Sequence, residues 1–352
     1  MKVVSVIGTR PQYVKAAVVT RAMRDDGRFD EVTIDTGQHY DREMSSVLLD
    51  DLPDVQRARN LDVHGEFDGD VLARTIDAVS DALTEEKPDA VLVYGDTNST
   101  LAGALAAAAL GISVGHVEAG LRSYNVAMRE ERNRVRVDHL SKWLFCPTPT
   151  AVANLANEGV LQGVHHVGDV MYDAALRARE AVEAMPPDRF EWQDHAPGES
   201  AVATVHRAET TDDPEALARV LEYLDQEAEK LPVGVMRFPL HPRTRKAIDA
   251  AGLSTGHLFV TDPVGYLEMT HLLMTACCVY TDSGGLQKEA YFHRVPCVTL
   301  RSETEWVETI DAGWNRLWTE PEYRERREIT DYGDGHAGRN IVKVLAEDLG
   351  SR

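Results

Sequence analysis

The sequence predicts an α/β protein built from two doubly wound parallel sheets. Three observations carry this. Short β-branched runs alternate with helical stretches along nearly the whole chain, and the loops between them are short. The alternation breaks once, at MPPDRFEWQDHAPGES (185–200), and resumes at AVATVH. The 352 residues exceed what one core usually organises, and 43% hydrophobic composition allows two. Two similar halves joined by a polar hinge would place a ligand cleft between them. The expected division is 1–167, completed by a returning last helix within 336–352, against 168–335.

The elements follow in order. KVVSVIG, 2–8, opens the first sheet, and Pro11 at the first helical position starts a helix over 11–25. A strand at 31–36 and a helix at 69–86 come next. VLVY and ISVGHV, within strands 89–95 and 112–117, flank STLAGALAAAALG, a helix of small residues over 99–110; this is a βαβ unit with a right-handed crossover. A helix over 130–141 and strands at 143–147 and 163–167 complete the first half. The second half has strands at 201–205, 234–238, 257–261, 276–281 and 296–299 with helices between them. A last helix, near 336–348, is expected to cross back onto the first half.

In a parallel sheet, ligands bind at the carboxyl ends of the strands. Two strands of the βαβ unit end in carboxylates there, Asp96 in GDTNST and Glu118 in GHVEAGLR, suited to acid and base work. A purely structural alternative has Asp96 capping the next helix and Glu118 paired with Arg122. The first strand ends in GTRPQYVK, where Gly8 allows a tight turn and Arg10 and Lys15 bracket a helix start. That is a seat for an anion, unless the two are ordinary surface charges. In TDSGGLQKEA, Gly284 and Gly285 let backbone N–H groups approach a phosphate, Ser283 caps the helix, and Glu289 can reach a ribose diol. The bland alternative is a cap and a turn only. Neither half carries GxGxxG after a strand, so nicotinamide chemistry has no support.

A formal charge of −21 argues against nucleic acid or an anionic membrane face as partner. Only 8 of the 37 basic residues are lysine; an acidic, lysine-poor surface suggests adaptation to high salt, where self-repulsion is screened. Cys146, Cys277, Cys278 and Cys297 form no CxxC pair and read as reduced packing residues. Met1 leads straight into a strand, and no apolar run reaches the roughly 18 residues of a membrane span, so a cytoplasmic protein is expected. His39, His116, His139 and His241 are weaker site candidates. His165 and His166 point to opposite faces of a strand, and no metal is expected.

The motifs GTRPQYVK, DTGQHYDREM, VYGDTNST, GHVEAGLR, MREERNR, VGDVMYDA, TVHRAE, PLHPRTRK, TDSGGLQKEA and TEWVET stand in this order along the chain. Together they resemble the non-hydrolysing UDP-N-acetylglucosamine 2-epimerases over nearly its whole length. The resemblance implies two Rossmann-like domains of GT-B type, a homodimer, no cofactor, and a cleft with UDP on the C-terminal side and sugar on the N-terminal side. It implies inversion at C2 of a UDP-linked acetamido sugar by loss and re-addition of UDP. The chemistry fits, because no carbonyl acidifies the C2 proton and the anomeric C–O bond must break first, giving the ring oxocarbenium character. Stabilising the leaving diphosphate then dominates. By motif position the catalytic set is Asp96, Glu118, Glu130 and His206. The substrate contacts fall on Arg10, Lys15, Arg134, Arg207, His241, Tyr266, Ser283, Gly284, Gly285 and Glu289. Which carboxylate is base and which is acid stays open. A GT-B glycosyltransferase, a hydrolysing epimerase and a non-catalytic sugar-nucleotide sensor remain alternatives.

Two departures bear on the substrate. Many UDP-N-acetylglucosamine epimerases carry Glu after GTRP and Arg-Pro in the TE motif, where this chain has Gln12 and Trp306–Val307. The pattern resembles the branch that epimerises UDP-2,3-diacetamido-2,3-dideoxy-glucuronate, and Gln12 in place of a carboxylate would suit an acidic sugar by removing like-charge repulsion. Gln38 and His39 are candidates for an activator site, although the loop from Val63 to Asp70 matches it poorly.

Overall fold

The computed structural model describes residues 1–37, 59–63, 69–186, 189–190 and 196–351. The chain divides into two compact units, Met1–Ala174 with Thr330–Arg352, and Ala175–Ile329. One division falls inside a helix, Val170–Ala184.

The first unit holds strands β1 (Lys2–Ile7), β2 (Asp30–Asp35), β3 (Arg59–Asn60), β4 (Ala90–Tyr94), β5 (Ser113–Val117), β6 (Trp143–Cys146) and β7 (Val164–His166). They lie in the order β3-β2-β1-β4-β5-β6-β7, every neighbouring pair parallel. Parallel strands are covered on both faces and so read as unbroken apolar runs; all five residues of β4 are buried. The helices are α1 (Arg10–Asp26), α2 (Gly69–Glu86), α3 (Asn98–Ala109), α4 (Arg129–Leu140) and α5 (Pro149–Asn157). Thr97 caps α3 by accepting from the Thr100 N–H, and Thr148 caps α5 from Ala151. Strand order reverses between β1 and β4, so the turns after these two strands flank the switch point at which doubly wound sheets bind ligands.

Helix α6 (Val170–Ala184) leads into the second unit, with α7 (Ala208–Thr211), α8 (Pro214–Glu229), α9 (Pro242–Ala251), α10 (Tyr266–Thr275), α11 (Gly284–Phe292) and α12 (Val307–Asp311). Its strands are β8 (Ala201–Thr204), β9 (Met236–Pro239), β10 (Phe259–Thr261), β11 (Val279–Thr281), β12 (Cys297–Thr299) and β13 (Asn315–Leu317), all parallel in the order β10-β9-β8-β11-β12-β13. Here the switch point lies between β8 and β11. The turns after them carry His206–Arg207 and Asp282–Gly285.

The expected run 276–281 is a strand only at Val279–Thr281, and the edge strands β3 and β13 were not anticipated. The last helix, α13 (Ala337–Leu349), packs against α1 and buries Ile341, Val342, Leu345 and Leu349. Its start is fixed by Asp173, which accepts from the Ala337 and Gly338 N–H groups at 3.0 Å each and sets a negative charge at the positive end of the helix. All four cysteines are free, Cys146 and Cys297 fully buried. Among the described residues no helix is long and apolar enough to cross a membrane.

Candidate active site

In the first unit the chemistry gathers at the carboxyl ends of β1, β4 and β5. Helix α1 begins at Arg10, which is half-buried, and its first turn is tied down by Gln12. The Gln12 carboxamide oxygen accepts from the Gly8 and Thr9 N–H groups at 2.8 and 3.1 Å. Its nitrogen faces the Tyr94 carbonyl, Thr97 Oγ1 and Thr100 Oγ1 at 2.6, 2.9 and 2.8 Å. Gln12 is 1% exposed. It therefore latches the turn after β1 to the turn after β4, and the expectation that it faces an acidic sugar is corrected: the side chain is buried and both ends of its amide are engaged.

Lys15, expected on an anion, donates to Glu118 Oε2, with both side chains nearly buried. Glu118 stands at φ 76, a left-handed conformation that non-glycine residues rarely hold and that marks strain near a functional group. Gly95 (φ 63) makes this approach possible, since a Cβ there would lie 3.2 Å from Lys15 Nζ and 3.3 Å from Glu118 Oε2.

Asp96 does not cap α3, a role Thr97 fills, and Arg122 does not pair with Glu118. The Asp96 carboxylate takes the Arg134 guanidinium, and its backbone carbonyl accepts from Asn133 Nδ2 at 3.0 Å. Burial raises the Asp96 pKa, but Arg134 and Lys15 outweigh that and hold it below the ordinary carboxylate value. Arg134, expected among the substrate contacts, thus bridges Asp96 and Glu131, the latter at 2.9 Å.

Glu130 is exposed on the first turn of α4, whereas Glu131 is 3% exposed. The Glu131 carboxylate accepts from the Ser123 N–H and hydroxyl and the Tyr124 N–H at 2.9–3.0 Å, clamping the segment after Glu118. His139 is exposed at the far end of α4 and His116 is enclosed in the core; neither joins the carboxylates. Gln38 and His39 lie outside the described residues, as does most of the Val63–Asp70 loop.

In the second unit His206 and Arg207 are held by one buried carboxylate, Asp282. Asp282, fully buried, accepts from the His206 and Arg207 N–H groups at 2.9–3.1 Å, so β11 fixes the turn that follows β8. His206 Nδ1 lies 3.6 Å from Asp282 Oδ1, and its 39% exposed ring sits 5.7 Å from the ring of His241, the N-cap of α9. Ser283 caps α11, accepting from the Leu286 N–H.

At Gly284 a Cβ would come within 2.4 Å of Glu305 Oε1, and one at Gly285 would lie 3.7 Å from Glu289 Oε1. Glu305 also takes Arg301 at 2.9 Å and lies 3.9 Å from Arg207. Tyr266 begins α10 and is 7% exposed, a packed position. Trp306 is buried, with Lys288 Nζ 3.7 Å above its ring. Asp282 could have been found from the sequence: like Asp96 it follows a strand and precedes a hydroxyl cap, Asp96-Thr97 and Asp282-Ser283. Among the described residues no group of three His, Cys, Asp or Glu could hold a metal ion.

The family described as UDP-N-acetylglucosamine 2-epimerase matches residues 21–346. A UDP-N-acetylglucosamine 2-epimerase homolog of Methanococcus maripaludis is 43% identical, covering 98% of this chain and 99% of that protein. The UDP-2,3-diacetamido-2,3-dideoxy-D-glucuronate 2-epimerase of Pseudomonas aeruginosa is 45% identical over 90% of this chain and 88% of its own. Among solved structures, the Methanocaldococcus jannaschii UDP-GlcNAc 2-epimerase in complex with UDP-GlcNAc and UDP is 34% identical, with a TM-score of 0.88 over 99% of this chain and 100% of that one. With paired carboxylates at one switch point, a capped double-glycine turn at the other, and these likenesses end to end, the chain belongs to the UDP-N-acetylglucosamine 2-epimerase family.

Proposed function

We propose that the protein inverts C2 of a UDP-linked 2-acetamido sugar, UDP-N-acetylglucosamine to UDP-N-acetylmannosamine, without net hydrolysis. The observation that carries the reading is the pair Asp96 and Glu118 on adjacent strand ends, each matched to its own cation, Arg134 and Lys15. A charge-paired carboxylate stays ionised, which a base for the C2 proton requires, and a second group opposite can return a proton. In this reading the anomeric C–O bond breaks with its electrons going to UDP. The C2 proton then passes to one carboxylate, leaving a C1–C2 double bond. A proton delivered to the other face of C2 and return of UDP to C1 complete the inversion.

His206, Arg207 and the N–H groups at Ser283–Gly285 would stabilise the departing diphosphate, and Glu289 would take the ribose diol. The protein would act as a homodimer in a salt-rich cytoplasm, supplying polysaccharide biosynthesis. A second reading, with the diacetamido-glucuronate as substrate, is favoured by the 45% identity to the enzyme of that name.

Incubation with UDP-N-acetylglucosamine in deuterated water, followed by NMR, tests the proposal. Deuterium at C2 of an intact UDP-sugar is expected. Free N-acetylmannosamine would mean a hydrolysing enzyme. A sugar nucleotide that stays unlabelled, together with an unlabelled uronate in a parallel tube, would point to a transferase or a sensor and refute epimerisation.

A further inference from the structure

A buried ionic network that the proposed chemistry does not use lies directly behind the two carboxylates. His116, on β5 and fully buried, places Nδ1 2.7 Å from Asp138 Oδ1 and Nε2 2.7 Å from the carbonyl of Gly95, the residue before Asp96. A carbonyl oxygen only accepts, so Nε2 is the donor to Gly95, and a grip on both sides requires a hydrogen on Nδ1 towards Asp138 as well. Asp138 is ionised: burial opposes its charge, but His116 and Arg122 outweigh that and keep its pKa below the ordinary value. Its Oδ2 accepts from Arg122 Nη1 at 2.7 Å and from the Gly120 N–H at 3.2 Å. Arg122 is closed on its other side by a two-pronged contact with Glu158 at 2.6 and 2.8 Å. Arg122 is thus held between two carboxylates, Asp138 and Glu158, with the His116 ring on the far side of Asp138.

The network therefore grips backbone on both sides of the site, at Gly95 ahead of Asp96 and at Gly120 behind Glu118. We propose that His116 and Asp138 are positioning residues that fix the separation and aim of the Asp96 and Glu118 carboxylates. Gly95 is the joint this acts on, since its left-handed backbone lets the following peptide swing and Asp96 with it. Without the imidazole the Gly95 carbonyl loses its buried donor, and the peptide turns to find another. Misplacement of a reacting group by about 1 Å can cost about 100-fold in rate.

The inference rests on the epimerase reading, and the experiment separates the two. His116→Gln can satisfy Asp138 or Gly95 but not both, because an amide donates from one end only. Turnover and UDP affinity are measured for wild type, His116→Gln and Asp138→Asn, with active sites counted by UDP stoichiometry. The expected result is kcat lowered about 100-fold per active site with UDP affinity within about 2-fold of wild type, and release of UDP outpacing formation of epimer. Equal kcat in wild type and both variants, or a fall in kcat matched by lost UDP affinity, overturns the positioning role. A wild type inactive on both candidate sugars refutes the epimerase reading and the role with it. Should neither variant fold, nitrogen-15 NMR of the wild-type histidines decides: His116 carrying hydrogen on both nitrogens upholds the double grip, and one bare nitrogen breaks it.

Discussion

Gln12 offers the sharpest test of the site's construction, because two readings of it predict opposite results. As a buried latch it supplies the acceptor for two buried N–H groups, Gly8 and Thr9, while the Tyr94 carbonyl has a second donor in the Thr100 hydroxyl at 2.7 Å. Gln12→Ala therefore orphans two donors, each costing about 1–3 kcal/mol, or about 2–6 kcal/mol together. That is a large part of the roughly 5–15 kcal/mol that holds a domain folded. Gln12→Glu keeps the acceptor, at the positive end of α1 where a carboxylate is welcome, and loses only the donors. The Thr97 hydroxyl can turn to donate to it while Thr100 stays on the Tyr94 carbonyl, so its cost should be smaller, about 1–3 kcal/mol.

Since the side chain is 1% exposed, neither change should alter the preference between UDP-N-acetylglucosamine and the diacetamido-glucuronate. Denaturant unfolding and kcat/KM for both sugars measure this. Wild-type stability in Gln12→Ala, or a change of more than about 10-fold in the ratio of kcat/KM values in Gln12→Glu, would refute the latch and restore Gln12 as a specificity residue.

Three further outcomes are expected. Asp96→Asn and Glu118→Gln should each lower kcat by about 10²–10⁴-fold while UDP affinity holds, as read by steady-state kinetics and calorimetry; near-normal turnover in either removes that residue from the chemistry. Glu289→Ala should weaken UDP binding by about 1.5–3 kcal/mol through the ribose diol, and unchanged affinity would take Glu289 out of the site. Asp138 has a lowered pKa, so its contribution to stability is complete above the unfolded value of about 3.9 and disappears as pH falls through the folded value. The stability gap between wild type and Asp138→Asn should thus shrink only below about pH 4, and a gap already shrinking from pH 6 downward would contradict this.

The parts of the fold legible in the sequence were those with a one-dimensional signal. β4 reads as a strand because all five of its residues are buried on one face or the other of a covered sheet. β3 and β13 sit at sheet edges, two and three residues long, and the two residues of β3 are both exposed, so no apolar run announces them. At the site, residue types were legible and partners were not. Lys15 meets Glu118 across 103 positions, and Arg122 meets Glu158 across 36; both pairings come from strand order, which spacing does not encode. Gln12 misled because a polar residue beside a basic turn looks like a ligand contact, and only the three-dimensional closure of β1 onto β4 turns it inward.

The contact between Asp173 and the start of α13 has a consequence for biosynthesis. The first unit is interrupted, its helix slot on α1 filled by residues that leave the ribosome only after the whole of Ala175–Ile329. At about 5–20 residues per second, the nascent first unit waits on the order of ten seconds with the apolar side of α1 uncovered. The inserted unit can close during that pause, ahead of the covering of α1. Chaperone engagement in that interval should centre on Val18 and its neighbours, which α13 ultimately shelters.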